Sequence, residues 1–349
     1  MPGETTIGLA SAPVRTADIG GWTDTWFAGV GAVCNIAIDH RAQVTIVHES
    51  DAVPRVDLSL AITGERYSYR PWESPGRHAI IEHAINATMP EGSVTITIDD
   101  SIEPGSGLGT SAAVMVALVA GLLACDGHPM DPEDIARRAH LYETFTGKQS
   151  GVQDHWASAC GGISLFTVEY PSVVRAAVAV SDTTSDELAR RLHTVYLGSP
   201  HASSALHDEV IARLETQRAP CLDDMRAAAV AAAAALAGGD LDAYGAALTA
   251  NHDAIRTMHP ALVGSDAREL VDLAVQIGAR GWKVNGAGGE GGSMVVLGPL
   301  NEVDDAALCA AIATRNGWRI IDAAIGADGV TVDRLPARAT IEPIGERVG

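Results

Sequence analysis

The segment EPGSGLGTSAAVMVALVAGLLAC, residues 103–125, places a glycine-rich loop directly in front of a long apolar run. Gly105, Gly107 and Gly109 fall within this loop, and an ordered glycine carries an entropic cost. The run after Ser111 contains almost no polar residue, which predicts a helix buried in a core. The loop is therefore either a tight turn before a core helix or an anion site. In an anion site, backbone N–H groups and a helix N-terminus face a phosphate.

The composition is that of a folded, acidic protein. The chain has 349 residues, of which 47% are hydrophobic and 19% charged, so it can bury the core of one large domain or of two. Its formal net charge of −20 argues against nucleic acid and anionic membranes as partners. A phosphate ligand is still compatible with this charge, because backbone dipoles and a metal ion attract phosphate locally.

The cysteines and the apolar runs predict a cytoplasmic protein. The five cysteines are scattered and never spaced CxxC, as expected of reduced thiols. The first residues, MPGETTIGLASAPVR, lack the basic and apolar regions of a signal peptide. The longest apolar run, residues 112–125, is shorter than the roughly 20 residues that a membrane span needs.

The order of elements predicts two domains. Alternating or β-branched stretches such as AQVTIVHE and SVTITIDD predict strands in the first part of the chain. Several helical patterns follow residue 200, interrupted by the strand–glycine–strand stretch GWKVNGAGGEGGSMVVLG. Since the polar stretch SDTTSDELARRL between the two parts has the character of a linker, we expect domains over residues 1–190 and 191–349.

Three familiar phosphate or metal signatures are absent from the sequence. The loop before Ser111 has no lysine, as a Walker A motif requires. The run GAGGEG at residues 286–291 fits GxGxxG, but it leads into an apparent strand and not into a helix. The twelve histidines form no zinc-protease pattern.

Three glycine-bearing segments remain: VRTADIGGWTDT (14–25), PGSGLGTSAA (104–113) and NGAGGEGGS (285–293). Each alone is typical of a turn. Together they resemble the three motifs of the GHMP kinases, and the resemblance spans nearly the whole chain. GGWTDT resembles L-fucokinases most, and QDHWASACGG resembles the heptose 7-phosphate kinases.

The resemblance implies an α+β fold with a domain like the second domain of ribosomal protein S5 and a ferredoxin-like C-terminal domain. The site would lie in the cleft between them. It also implies an ATP- and Mg²⁺-dependent sugar kinase. The residues implied to bind ATP are Pro104, Gly105, Ser106, Gly107, Leu108, Gly109, Thr110, Ser111, Gly286, Gly288 and Gly289.

The resemblance also assigns the metal ligands and the catalytic residues. Ser111 and Glu143 would hold Mg²⁺, although Glu143 taken alone fits an acid on a helix surface. Asp154 would accept or orient the proton of the attacking hydroxyl, with a turn-forming aspartate as the alternative. Arg15, where isoprenoid kinases of the family carry lysine, would lie near the transferred phosphoryl group.

The first motif and one later segment concern the acceptor. Asp24 would bind vicinal sugar hydroxyls, and Trp22 and Thr23 would shape the pocket, with core packing as the alternative for Trp22. The segment GSPHASSALHDE adds the candidate substrate contacts His201, Ser203 and Ser204.

One departure from the family pattern and two alternative functions stay open. Glu290 stands where glycine is common, so it must point away from the triphosphate or meet a cationic or hydroxyl group on the acceptor. The expected product is a sugar 1-phosphate. The alternatives are a catalytically silent relative that senses sugar and ATP and binds another protein, and a kinase for a non-sugar alcohol.

Overall fold

The computed structural model describes residues 5–50, 52–100, 102, 105–145, 147, 150–200, 204–217 and 219–336. The strands in these ranges are β1 (Thr5–Ile19), β2 (Val30–Glu49), β3 (Arg55–Leu60), β4 (Glu65–Tyr69), β5 (Ser93–Asp100), β6 (Ile163–Glu169), β7 (Ser172–Ala177), β8 (Leu192–Tyr196), β9 (Gly281–Val284), β10 (Ser293–Leu297), β11 (Arg319–Ile321) and β12 (Thr331–Pro336). The helices are α1 (Ala79–Thr88), α2 (Thr110–Cys125), α3 (Pro132–Phe145), α4 (Gln153–Cys160), α5 (Asp182–Arg191), α6 (Ser204–Leu214), α7 (Cys221–Gly238), α8 (Leu241–Met258), α9 (Ser265–Ile277) and α10 (Glu302–Ala313), with a 3₁₀ turn at Pro260–Leu262.

The larger sheet has eight strands, in the order β12-β1-β2-β5-β3-β4, with β6 beside β2 and β7 beside β6. The long strand β2 pairs with β6 through residues 30–36 and with β5 through residues 42–49. Its pairing with β1 shifts register between Pro13 and Val14 and again between Thr16 and Ile19. Such irregularities redirect side chains and are frequent beside active sites. Arg15 lies between the two shifts.

Helix α2 covers this sheet and forms the centre of the larger core. Every residue from Ala112 to Cys125 is buried, which confirms the predicted core helix. Gly121 permits the close approach, because a Cβ there would lie 2.8 Å from the Cδ1 atom of Ile46 and 3.1 Å from the Cβ atom of Ala10. The burial of each large side chain in such a core stabilises the fold by about 1.5–3 kcal/mol.

The smaller sheet has four antiparallel strands in the order β11-β8-β10-β9. It belongs to a second core that includes Met294 and Leu308, and Trp22 from the first part of the chain also packs there. The first motif therefore lies where the two cores meet.

The predicted linker is wrong: residues 182–191 form helix α5. Ser181 caps it by accepting a hydrogen bond from the Thr184 N–H group, and Leu188 and Arg191 are fully buried. Only one narrow side of this helix is buried, so its sequence is largely polar and does not look helical.

A mixed larger sheet and an antiparallel smaller sheet, both with packed helices, confirm the α+β class. The smaller sheet begins at Leu192, whereas β12 returns to the larger sheet and pairs with β1. The division at residues 190 and 191 stays a prediction. None of the helices in the described ranges combines the length and apolarity needed to cross a membrane.

Candidate active site

The central glycine loop has the geometry of an anion site. Gly105, Gly107 and Gly109 have φ of 70°, 77° and 80°, which side-chain-bearing residues rarely adopt. Gly109 is the N-cap of α2, and no side chain caps this helix. The first N–H groups of α2 are thus left without helical partners, and they face the side on which an anion is stabilised.

Two hydroxyl groups of the same loop lack a protein partner. The Oγ atom of Ser106 and the Oγ1 atom of Thr110 are buried without a hydrogen bond to any described residue. Buried polar groups usually have a partner, so these two fit a bound ligand. Leu108 has another role: its side chain is fully buried and its carbonyl oxygen accepts from the Arg15 N–H group at 3.0 Å.

The third glycine segment forms the turn between β9 and β10 and contacts the central loop. A Cβ on Gly286 would lie 3.0 Å from the carbonyl oxygen of Gly107, so the two loops touch through their backbones. Gly288 and Gly289 face Leu262: a Cβ on Gly288 would come within 2.3 Å of its oxygen, which also accepts from the Gly289 N–H group. Of the three predicted glycines, only Gly286 lines the cavity described next.

A cavity of about 600 Å³ opens beside the two loops. Its lining combines aromatic side chains with polar and charged ones. The aromatic side chains are Trp22, Trp26, Phe27 and His207, and the polar or charged ones include Arg15, Asp18, Asp24, Gln153, Asp154 and Asp208. Cavities of this size with a few convergent polar groups are typical of small-molecule sites.

Arg15 and Asp154 form an ion pair between the glycine loop and the cavity. The Nε atom of Arg15 donates to the Oδ1 atom of Asp154 at 2.7 Å, and Nη1 donates to the carbonyl oxygen of Gly107. The side chain of Asp154 is 29% exposed, whereas that of Arg15 is 3% exposed. Burial alone lowers the pKa of Arg15, but the charges of Asp154 and Asp18 raise it overall, so the guanidinium stays charged.

Asp24 enters the cavity through a contact that only glycine allows. Its Oδ2 atom accepts from the Gln153 N–H group at 3.0 Å. A Cβ on Gly151 would lie 2.2 Å from that oxygen, so no larger residue fits there. Burial, with the charges of Asp154 and Asp18, raises the pKa of Asp24 to about 6, against the hydrogen bond from Gln153.

The two neighbours of Asp24 differ. Trp22 both lines the cavity and packs in the second core, and its indole N–H group donates to the carbonyl oxygen of Ala287 at 3.2 Å. Thr23 is fully buried behind the wall, where its hydroxyl donates to the carbonyl oxygen of Gly20 at 2.7 Å. The bond to Gly20 holds the first motif together, and the role of Thr23 in shaping the pocket stays a prediction.

Asp18 and Lys283 form a buried ion pair that the sequence did not suggest. The Nζ atom of Lys283 lies 2.7 Å from the Oδ1 atom of Asp18, and the side chains are 0% and 1% exposed. Asp18 also accepts from the Gly286 N–H group at 3.2 Å and lies 3.7 Å from Arg15. Burial lowers the pKa of Lys283, and Asp18 opposes that shift. Arg15 and Asp18 line the cavity, and Lys283 contacts it only through Asp18. We call these three residues the charged floor.

A clue to this floor was present in the sequence. Lys283 and Lys148 are the only lysines, and Lys283 stands in an apolar strand directly before a glycine turn. Charged residues are rarely buried unless they are paired, so this position predicts a partner or a functional role.

The predicted metal ligands Ser111 and Glu143 are in contact. The Oγ atom of Ser111 donates to the Oε1 atom of Glu143 at 2.5 Å, and Ser150 donates to Oε2 at 3.2 Å. The Nε2 atom of His155 lies 2.9 Å from Oε2, but the two groups are not oriented for a hydrogen bond. Glu143 is only 2% exposed, so the alternative of a surface acid is wrong.

Glu290 points away from the glycine loop. Its carboxylate accepts from the backbone N–H group of Ser265 at 3.0 Å and from its hydroxyl at 2.9 Å. It thereby supplies the cap that Gly264 cannot give to helix α9. This outcome agrees with one of the two positions expected for Glu290.

Some predicted residues lie outside the described part of the chain. These are Pro104, His201 and Ser203. Ser204 begins helix α6, but its side chain is likewise not described. His207, one turn further along α6, does line the cavity, and its ring contacts that of Trp22 edge to face at a centroid distance of 5.7 Å.

Comparisons with known proteins match this chain to kinases of one family. The family model described as GHMP kinases N terminal domain matches residues 78–162. A mevalonate kinase of Thermococcus sibiricus is 30% identical over 272 residues, which cover 73% of this chain and 75% of that protein. A galactokinase of Mycobacterium tuberculosis is 27% identical over 334 residues, which cover 85% of this chain and 90% of that protein.

Solved structures show the same fold. The crystal structure of a D-glycero-D-manno-heptose 1-phosphate kinase from Bacteroides thetaiotaomicron aligns with a TM-score of 0.72 at 19% identity. The alignment covers 93% of this chain and 98% of that structure. Since the mevalonate kinase is matched at 30% identity over three quarters of its length, this chain belongs to the GHMP kinase family of ATP-dependent kinases.

Proposed function

We propose that this kinase transfers the γ-phosphoryl group of ATP to the anomeric hydroxyl of a sugar and releases a sugar 1-phosphate. The observation that carries the proposal is the Arg15–Asp154 pair. It touches the glycine loop at Gly107 and Gly109 and faces a cavity that contains Asp24. A fucose-like sugar, a heptose phosphate or a related sugar is the acceptor.

The triphosphate of ATP binds along the central glycine loop. The left-handed glycines and the uncapped start of α2 supply N–H groups, and the hydroxyls of Ser106 and Thr110 supply further donors. Gly286 contacts the central loop at Gly107. The buried side chain of Leu108 and the packing of Gly288 and Gly289 on Leu262 fix the backbones of the two loops.

The donor set at Ser111 and Glu143 fits Mg²⁺, which prefers hydroxyl, carboxylate and phosphate oxygens. The two side chains already touch, and Glu143 is buried and aligned by Ser150. Both residues would hold the ion, which when bound neutralises charge on the phosphates. Glu143 and Ser111 are the two predicted metal ligands. Pro104 is a further predicted contact of ATP.

Asp154 receives the proton of the attacking hydroxyl. Its partly exposed carboxylate is fixed by Arg15 and lies against Gly109 at the start of α2, where phosphate is expected. Arg15 is oriented between Asp154 and the Gly107 carbonyl, so it also offers positive charge next to the transferred group. In phosphoryl transfer, positioning and charge neutralisation of this kind supply most of the catalysis.

The lining of the cavity suits a sugar. A pyranose presents polar hydroxyl edges, which suit Asp24, and an apolar C–H face, which suits the aromatic rings of Trp22, Trp26 and Phe27. Asp24 accepts hydrogen bonds from vicinal hydroxyls and so sets which oxygen faces the phosphate. An anomeric hydroxyl is more acidic than an ordinary alcohol, so a weak base such as the Asp154 carboxylate can remove its proton more easily.

The proposal includes the further predicted substrate contacts and the predicted compartment. His201, Ser203 and Ser204 stay predicted substrate contacts. Helix α6, which begins at Ser204, brings His207 to the cavity. A reducing compartment such as the cytoplasm agrees with the free state of all five cysteines.

The test is ADP release by the purified chain with Mg²⁺ and a panel of acceptors. The panel contains hexoses, 6-deoxyhexoses, amino sugars and heptose phosphates, with mevalonate and homoserine as non-sugar alcohols. The Asp154→Asn variant is the background control. We expect turnover with at least one sugar that exceeds turnover with either non-sugar alcohol, whereas mevalonate as the best acceptor would contradict the sugar assignment.

The position of the new ester is tested on the product of the best sugar. We expect complete loss of reducing activity and phosphorus–proton coupling to the anomeric proton. A product that still reduces, or equal turnover of the 1-deoxy analogue, would contradict the anomeric position and leave the kinase activity intact.

A further inference from the structure

A second group of chemically reactive side chains lies on the smaller sheet. The Nε2 atom of His193 is 2.9 Å from the Oδ1 atom of Asp305 and 3.6 Å from the Sγ atom of Cys309. The donor atoms of the three side chains all lie within 4.8 Å of one another. Among the described residues, no other set of three histidine, cysteine or acidic side chains is close enough to share one ion.

Two rigid elements hold this group together. His193 is the second residue of β8, where it pairs with Val296 of β10. Asp305 and Cys309 are four residues apart on α10 and therefore lie on one face of that helix. Gly298 makes room for the group, since a Cβ there would come within 1.8 Å of the Oδ1 atom of Asp305.

The chemistry of the three donors selects a class of ion. Imidazole, carboxylate and thiolate together suit Zn²⁺, whereas Mg²⁺ takes oxygen ligands. With zinc–ligand bonds of about 2.0–2.3 Å, tetrahedral ligands lie about 3.3–3.6 Å apart. The distance from His193 to Cys309 already matches, and the distance from His193 to Asp305 needs to open by a few tenths of an ångström.

We propose that His193, Asp305 and Cys309 form a zinc site that joins helix α10 to the smaller sheet. His193 and Asp305 are buried and Cys309 is half-buried, so the fourth position is reached by water from the Cys309 side. The site shares no residue with Ser111 and Glu143, and its ligands differ in kind from theirs. It therefore stabilises the second core and takes no part in phosphoryl transfer.

The test uses the full chain, stripped with a chelator and titrated with Co²⁺ as a spectroscopic probe for the zinc position. We expect one equivalent to give a thiolate-to-cobalt absorption band in the near ultraviolet, bleached by Zn²⁺ and unaffected by excess Mg²⁺. The band is lost in Cys309→Ser and retained in Cys160→Ser, a matched change at another half-buried cysteine. A parent protein without the band, or a Cys309→Ser variant with an undiminished band, would overturn the site.

Thermal unfolding gives an independent readout. Because an ion that binds only the folded state stabilises it, Zn²⁺ is expected to raise the Tm of the stripped parent by several degrees. Asp305→Asn and Cys309→Ser should lose this rise, and Cys160→Ser should keep it. An equal rise in Cys309→Ser would contradict the proposal.

Discussion

Helix α2 and the charged floor are both buried, yet they are built from opposite kinds of residue. From Ala112 to Cys125 the helix contains no charged side chain, and it packs on the larger sheet. By contrast, the charged side chains of Arg15, Asp18 and Lys283 are almost fully buried. Apolar burial stabilises the fold directly, whereas burying an ion pair costs desolvation that its attraction often fails to recover.

This difference separates stability from chemistry. If the charged floor existed for stability, apolar residues of similar size would serve as well or better. Asp18 lies 3.7 Å from Arg15, which pairs with Asp154, and it accepts from the Gly286 N–H group. We therefore expect Asp18 and Lys283 to hold Arg15 in place for the proposed phosphoryl transfer. Changes in α2 should therefore alter stability and spare turnover, whereas joint removal of the Asp18 and Lys283 charges should lower turnover with little loss of stability.

The largest expected effect is the loss of turnover in Asp154→Asn. The substitution keeps the shape and removes the charge and the proton acceptor, so kcat should fall about a hundredfold or more, the scale for a lost general base. Affinity for ATP and the Tm should stay close to those of the parent. Asp208→Asn makes the same change at an exposed residue of the cavity and should stay within a few-fold of the parent. Equal losses in both variants would move the base elsewhere.

The matching change in the apolar region is Leu118→Ala. Leu118 is fully buried in α2, so the variant should lose about 3 kcal/mol of unfolding free energy through lost contacts and a cavity. Measured at a temperature well below the Tm of the variant, its kcat should equal that of the parent. The control is Leu141→Ala on α3, which is 59% exposed and should change stability by less than about 0.5 kcal/mol. A large fall in kcat for Leu118→Ala would contradict the separation of stability in α2 from turnover at the charged floor.

A smaller effect is expected at the metal ligands. Glu143→Gln removes a charged oxygen ligand and should raise the Mg²⁺ concentration needed for half-maximal turnover more than Ser111→Ala does. Glu133→Gln, on the same helix and outside the site, should keep the parent's Mg²⁺ dependence. Titration of Mg²⁺ at saturating ATP measures this, and unchanged requirements in both ligand variants would refute the assignment.

The smallest effect concerns Asp24, whose pKa is raised to about 6 from an ordinary value near 4. Between these values the folded state binds more protons than the unfolded state, so Asp24 reduces stability as pH rises through this window. Asp24→Asn keeps an acceptor for the Gln153 N–H group and removes the charge. It should gain about 1–3 kcal/mol of unfolding free energy at pH 7 and lose activity on the sugar.

Urea unfolding of parent and variant at pH 4 and at pH 7 measures that gain. We expect the advantage of Asp24→Asn to appear at pH 7 and to vanish near pH 4, where the parent carboxyl is protonated. An advantage of equal size at both pH values, or a less stable variant at pH 7, would contradict the raised pKa.

Local pattern was enough to predict the parts of the fold that depend on neighbours in sequence. The glycine loop and α2 are adjacent along the chain, and their pattern predicted a buried helix preceded by either a tight turn or an anion site. The polar helix α5 was missed because few of its residues, such as Leu188 and Arg191, are buried.

The partners of distant residues could not be predicted in the same way. Asp18 and Lys283 are 265 residues apart, and only the folded chain brings them to 2.7 Å. Glu290 caps a helix that begins 25 residues earlier, at Ser265. The hydroxyl of Thr23 donates to the carbonyl oxygen of Gly20, a contact that the sequence did not predict.

The most direct test of the charged floor compares Lys283→Met with the double variant Asp18→Asn/Lys283→Met. The single variant leaves Asp18 buried and unpaired and should lose about 3–5 kcal/mol of unfolding free energy. The double variant should recover most of that stability, while its kcat on the best sugar falls by at least about tenfold because Arg15 and Asp154 are no longer held in place. A double variant that turns over like the parent, or one that stays as unstable as the single variant, would contradict the role of these charges in phosphoryl transfer.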